Sequence, residues 1–120
     1  MKKFILAVIV VLGAQSNMQA AYSEVSSAAD LNSALRGDKS IVMFGSNSCP
    51  HCRQMKPLFT QAAQGSTATF IFVDTNRLSS VADQYGIRGI PTFKLFKNGS
   101  AVGSRTGSMS KAELTSFVNQ

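Results

Sequence analysis

The chain holds two cysteines, and they lie three positions apart in Cys49-Pro50-His51-Cys52. The pair follows the apolar run Ile41-Val42-Met43-Phe44 and opens a stretch, Pro50 to Gln64, of helical character. Pro50 suits the first turn of that helix, where its missing N–H has no intrahelical partner to lose. The local sequence therefore predicts a buried strand that delivers a dithiol to a helix N-terminus. A structural staple accounts poorly for such a pair, because the chain-entropy gain of a disulfide grows with loop length and a two-residue loop gives little. A reactive dithiol accounts for it better. The unpaired N–H groups and the dipole of a helix N-terminus favour a negative sulfur. His51, Arg53 and Lys56 follow, and no acidic residue lies between Lys39 and Asp74. Cys49 is expected to be the attacking sulfur, and Cys52, one turn further in, the resolving one. His51 is placed to assist the thiolate. Arg53 and Lys56 read as plain helix surface.

The compartment follows from the N-terminus. Met1-Lys2-Lys3 is basic, Phe4 to Ala14 is uncharged and apolar, and Gln15 to Ala21 is polar and ends in small residues. That is the pattern of a secretory signal peptide. The apolar stretch is shorter than the roughly 17–25 residues that a membrane span needs. Residues 1–20 are read as the leader, with cleavage after Ala20 or Ala21 and an uncleaved anchor as the alternative. The expected location is periplasmic, where disulfides persist. About 100 residues remain, 21–120, enough for one domain with one core. Without Lys2 and Lys3, 12 basic residues fall to 10 against 6 acidic, and the net charge falls from +6 to +4. These charges are scattered and no basic tract carries interleaved aromatics, so nucleic acid is not an expected partner.

Apolar runs and breakers set the order of elements. Tyr22–Val25 reads as a short strand, and Ser26 to Leu35 as a helix capped by Ser26 or Ser27. Ile41–Phe44 is continuous enough to be buried on both faces. Pro57 falls inside the Pro50–Gln64 helix, where a kink is expected. Ala68–Val73 is a second apolar strand, Leu78–Tyr85 a short helix, and Thr92–Lys97 a third strand. Asn98-Gly99 signals a tight hairpin, after which Ser100–Arg105 returns antiparallel. Ser110-x-x-Glu113 is a capping box for a last helix that turns Leu114, Phe117 and Val118 inward. Strands joined through helices pair in parallel, and the hairpin adds antiparallel strands. The expected fold is α/β: a central mixed sheet of four to five strands flanked by about four helices.

Other chemistries fit less well. A zinc site needs four ligands, commonly two such pairs, and this chain offers one pair with a histidine inside it. A site shared between two chains, or capture of soft Cu(I) by the dithiol, stays open as a lesser reading. Met43 and Met55 read as core. There is no glycine-rich phosphate loop and no carboxylate pair near the dithiol, and no cofactor is expected.

Beyond the dithiol, several segments resemble the thioredoxin fold family. Pro57 falls at the family's kinking proline, and Tyr85-Gly86-Ile87-Arg88-Gly89-Ile90-Pro91-Thr92 resembles the segment before its cis-proline strand. Leu95-Phe96-Lys97-Asn98-Gly99 resembles the hairpin that follows, and Gly107 the glycine before the last helix. The resemblance implies a cis Ile90–Pro91 bond, Pro91 against the dithiol, and an Ile90 backbone that pairs with an extended substrate segment. It covers the whole mature chain, with departures. Ser48 stands where the family has a tryptophan. Met43 stands at its buried aspartate, and Phe70 at that aspartate's lysine partner. The Pro50-His51 dipeptide resembles that of the periplasmic DsbA-type oxidants, whose helical insertion is missing, as is the dimerisation domain of the periplasmic isomerases. The expectation is an exported thiol–disulfide oxidoreductase, monomeric for want of a dimer element, that oxidises cysteine-containing exported proteins. A membrane redox partner would recycle it. The alternatives are a reductase fed by a membrane electron donor and a redox-inert interaction module, which the intact dithiol argues against.

Overall fold

A computed structural model describes residues 22–120. The leader read over residues 1–20 and its cleavage site lie outside the described residues. The chain runs β1 (Tyr22–Glu24), α1 (Ala28–Ala34), β2 (Lys39–Gly45), α2 (Pro50–Gln64), β3 (Thr69–Asp74), α3 (Ser79–Gln84), β4 (Thr92–Lys97), β5 (Ser100–Thr106) and α4 (Lys111–Val118). The strands form one sheet in the order β1-β3-β2-β4-β5. β1, β3 and β2 are parallel, whereas β4 and β5 run antiparallel. This is the thioredoxin fold, a mixed five-stranded sheet with four helices among the described residues.

The two central strands are apolar throughout because helices cover both sheet faces. Side chains alternate between faces along a strand. Ile41 and Met43 accordingly join Phe70, Phe72, Phe93 and Leu95 under α2 and α4. Val42 and Phe44 join Ile71, Val73 and Phe96 under α1 and α3. Phe59 of α2 is fully buried, its ring centroid 5.1 Å from that of Phe70, 5.9 Å from Phe93 and 6.1 Å from Tyr22. These contacts clamp α2 to the sheet and so fix where its N-terminus emerges, at the C-terminal end of β2.

Local signals set the ends. Ser27 caps α1, accepting the Asp30 N–H. Asn98 and Gly99 both have positive φ, 53° and 85°, as the two-residue hairpin between β4 and β5 requires. Ser110 Oγ accepts the Glu113 N–H at 3.1 Å, while the Ser110 N–H donates to Glu113 Oε1 at 2.8 Å. β2 and β5 extend beyond the apolar runs, because ladder hydrogen bonds continue through Lys39, Gly45 and Thr106 where hydropathy gives no signal. The helix α1 is shorter than its sequence span, starting at Ala28.

Two stability measurements follow. Phe59→Ala should cost about 3–5 kcal/mol in urea unfolding, and a loss under about 1 kcal/mol would contradict the clamp. The Ser110 N–H, with Arg105 beside it, holds the Glu113 carboxyl below its ordinary value of 4.5. A depressed folded value stabilises above 4.5 and loses that effect as pH falls through the folded value. Glu113→Gln should therefore be less stable than the parent at neutral pH and converge with it in acid. A gap that persists unchanged in acid would contradict this.

Candidate active site

Ser46 to Cys49 forms a turn between β2 and α2, closed by the Cys49 N–H donating to the Ser46 carbonyl at 3.2 Å. Cys49 is the N-cap of α2, in extended backbone conformation, and Pro50 takes the first helical position. The Cys49 Sγ accepts the Cys52 N–H at 3.3 Å. The sulfur thus fills the place that a serine or aspartate oxygen takes at other helix starts, satisfying one of the orphan N–H groups. Cys49 is half-buried and Cys52 is 2% exposed; both are thiols.

Cys52 reaches into the sheet because β2 ends in glycine. A Cβ on Gly45 would stand 3.0 Å from Cys52 Sγ and 3.4 Å from Phe72 Cε1, too close for a side chain without displacing the sulfur. Around Cys52 the buried cluster is apolar, with Met43, Met55, Phe70 and Phe72, and the buried carboxylate among the described residues, Asp74, sits at the end of β3 and accepts the Asn76 N–H. Burial pushes the Cys52 thiol from 9.0 up to about 11, the hydrogen bond with Cys49 adds to this, and a backbone hydrogen bond from Ser46 offsets part of it. Cys52 is consequently protonated at neutral pH.

Pro50 and His51 are exposed, and no side-chain hydrogen bond ties His51 to Cys49 among the described residues. The assistance expected of His51 thus corresponds to no hydrogen bond in the reduced site. Arg53 is exposed, as expected of helix surface, whereas Lys56 is partly buried. Arg53 Nη1 donates to the Asn47 carbonyl at 3.4 Å, and Lys56 Nζ to Asn47 Oδ1 at 3.2 Å. Lys56 Nζ also lies 4.1 Å from the Phe72 ring centroid and 3.7 Å from Glu24 Oε1. A lysine folds its stem along apolar surface when anchors are near, and hydropathy alone does not reveal those anchors.

The Ile90–Pro91 bond is cis, Pro91 is buried, and Ile90 packs against the cluster that contains both cysteines. The Gly107 N–H donates to the Pro91 carbonyl at 2.8 Å, whereas Ile90 makes no backbone hydrogen bond among the described residues. Thr92, 3% exposed, holds this loop by donating to the Gly89 carbonyl and meeting Thr106 Oγ1 at 3.0 Å. Structure therefore adds Gly45, Thr92, Ser46 and Asn76, whose Nδ2 donates to Ser46 Oγ at 2.8 Å, to the residues read from sequence. Only Gly45 left a signal, since a glycine at a strand end beside a dithiol marks close approach.

The raised Cys52 value has a consequence for the reduced protein. Raised in the fold, it stabilises fully below 9.0, and the effect is lost as pH rises towards about 11. Chemical unfolding of the reduced chain should show this alkaline loss, and Cys52→Ser should lack that part of it. Identical pH slopes for the two proteins would contradict the burial of the thiol.

The Thioredoxin family model matches residues 21–120. A thioredoxin of Mycoplasmoides gallisepticum is 33% identical over 96 residues, spanning 78% of this chain and 96% of that protein. The protein disulfide-isomerase of Oryctolagus cuniculus is 41% identical over 64 residues, 49% of this chain and 13% of that protein. The crystal structure of Schistosoma mansoni thioredoxin superposes with a TM-score of 0.77 at 30% identity, covering 84% of this chain and 95% of that one. A likeness of this extent, on a fold that brings two thiols to one helix start, places the chain in the thioredoxin family as a thiol–disulfide oxidoreductase.

Proposed function

We propose that this chain is exported and exchanges disulfides with cysteines of other exported proteins, acting mainly as an oxidant through Cys49 and Cys52. The observation that carries this reading is the setting of the Cys49 sulfur. It caps the start of α2 and accepts the Cys52 N–H, and the cluster beneath contains fully buried Met43 and Phe72 in place of charged groups. A helix N-terminus stabilises a thiolate, and the buried carboxylate nearest in the sheet, Asp74, is engaged by the Asn76 N–H. Stabilising the thiolate stabilises the reduced form, which raises the potential and makes the disulfide a stronger oxidant. The leader over residues 1–20 supports export to the periplasm.

Exposure assigns the steps. In the oxidised chain a substrate thiolate attacks the half-buried Cys49 Sγ, the Cys49–Cys52 bond breaks, and Cys52 leaves and takes up a proton. A second substrate thiolate then attacks the substrate sulfur of the mixed disulfide. Cys49 leaves as a thiolate, two electrons having passed to the dithiol and one disulfide to the substrate. A membrane redox partner removes those electrons again. Pro50 and His51 line the exposed approach. Ile90 offers its unpaired N–H and C=O to an extended substrate segment beside Pro91, as in strand addition.

A second reading, a reductase fed by a membrane electron donor, is favoured by the relatives that carry the name thioredoxin. Equilibration of residues 21–120 with glutathione separates the two. The oxidant reading predicts a potential of about −120 to −180 mV, and a value near −270 mV would overturn it in favour of the reductase. Cys49→Ser should abolish dithiothreitol-dependent insulin reduction, and retained activity would contradict the assignment of Cys49.

A further inference from the structure

We propose that Ser46 and Asn76 form a hydrogen-bonded latch that positions Cys49, which makes Ser46 a positioning residue for disulfide exchange. Ser46 is 3% exposed and directly follows β2. Its Oγ meets Asn76 Nδ2 at 2.8 Å, the Ser48 N–H at 3.2 Å and Ser48 Oγ at 2.8 Å. A hydroxyl has one proton and two lone pairs. The Asn76 amide and the Ser48 N–H are both donors, so they occupy the lone pairs, and the Ser46 proton goes to Ser48 Oγ. Every valence of this buried hydroxyl is therefore used, and all three bonds act on the turn before Cys49.

The same residue holds the turn through its backbone. The Ser46 carbonyl accepts the Cys49 N–H at 3.2 Å, which sets Cys49 at the N-cap where its sulfur meets the Cys52 N–H. The latch has a firm base. The Gly45 carbonyl accepts the Thr75 N–H at 2.8 Å and Thr75 Oγ1 at 3.3 Å, and the Asn76 N–H is held by Asp74 Oδ1 at 2.9 Å. The end of β3 thus pins the inner side of the turn. From the outer side, Arg53 and Lys56 hold Asn47. A turn fixed from both sides keeps the attacking sulfur in line with its partner without aromatic packing. Small displacements of a reacting group are costly to rate, so releasing one side should show in exchange.

The proposal rests on Cys49 as the exchanging sulfur, and the test keeps the two ideas apart. Ser46→Ala, Asn76→Ala and the double variant are compared with the parent for the rate of reaction of the reduced chain with oxidised glutathione. The equilibrium constant with glutathione and stability in urea are measured alongside. Asn76 is exposed, so its truncation leaves the core intact. The latch predicts that each single variant exchanges roughly ten-fold more slowly. Each equilibrium should shift at least about three-fold towards the oxidised protein, because the thiolate loses part of its support. Since Asn76 acts through Ser46, the double variant should be no slower than Ser46→Ala. Parental rate and equilibrium in a folded Asn76→Ala would overturn the latch, whatever the change in stability. A parent that itself fails to exchange would overturn the function instead.

Discussion

The bond from the Cys52 N–H to the Cys49 sulfur, at 3.3 Å, is the point on which this site turns. It makes one sulfur the cap of a helix, and it orients the other towards the interior. Everything else arranges for that contact to exist. Phe59 clamps α2 to the sheet, Pro50 starts the helix without a wasted N–H, and Gly45 leaves room for Cys52 Sγ. The two sulfurs consequently differ in environment although they lie three residues apart. One faces the substrate side, and the other sits in an apolar cluster that keeps it protonated to about 11.

That cluster distinguishes the chain. The sheet under the dithiol holds Met43 where the family resemblance points to an aspartate, and its neighbour on β3 is Phe72 rather than the Phe70 expected from sequence; both are fully buried. A buried charge pair would require its own partners and desolvation, whereas methionine and phenylalanine simply fill the space. Polar control moves instead to the turn that precedes Cys49. There Ser46, Ser48, Asn47 and Asn76 form hydrogen bonds at the surface end of β2 and β3, and Lys56 lies across Phe72 towards Glu24.

Much of this was legible in the chain itself. The continuous runs at Ile41–Phe44 and Ala68–Val73 named the two central strands, since only strands covered on both faces are apolar throughout. Pro50 to Gln64 was readable to its ends, because a proline at the first position and a glycine after the last both punctuate helices. Asn98-Gly99 and Ser110-x-x-Glu113 specified their turn and cap chemically. The dithiol, its Pro-His dipeptide and Ile90–Pro91 were visible as motifs. The network at Ser46 and Asn76 was not, for the two residues are 30 positions apart and serine and asparagine are ordinary turn residues by composition. Lys56 was misjudged for a related reason. A cation on a helix face looks solvated until tertiary structure brings Asn47, Phe72 and Glu24 beside it.

The division of labour between the two sulfurs is open to one direct measurement. The reduced chain is treated at neutral pH with less than one equivalent of iodoacetamide, and the modified cysteine is located by peptide mass spectrometry. The account predicts carbamidomethylation at Cys49, with Cys52 spared by its burial and its proton. Modification of Cys52 as fast as Cys49 would contradict it.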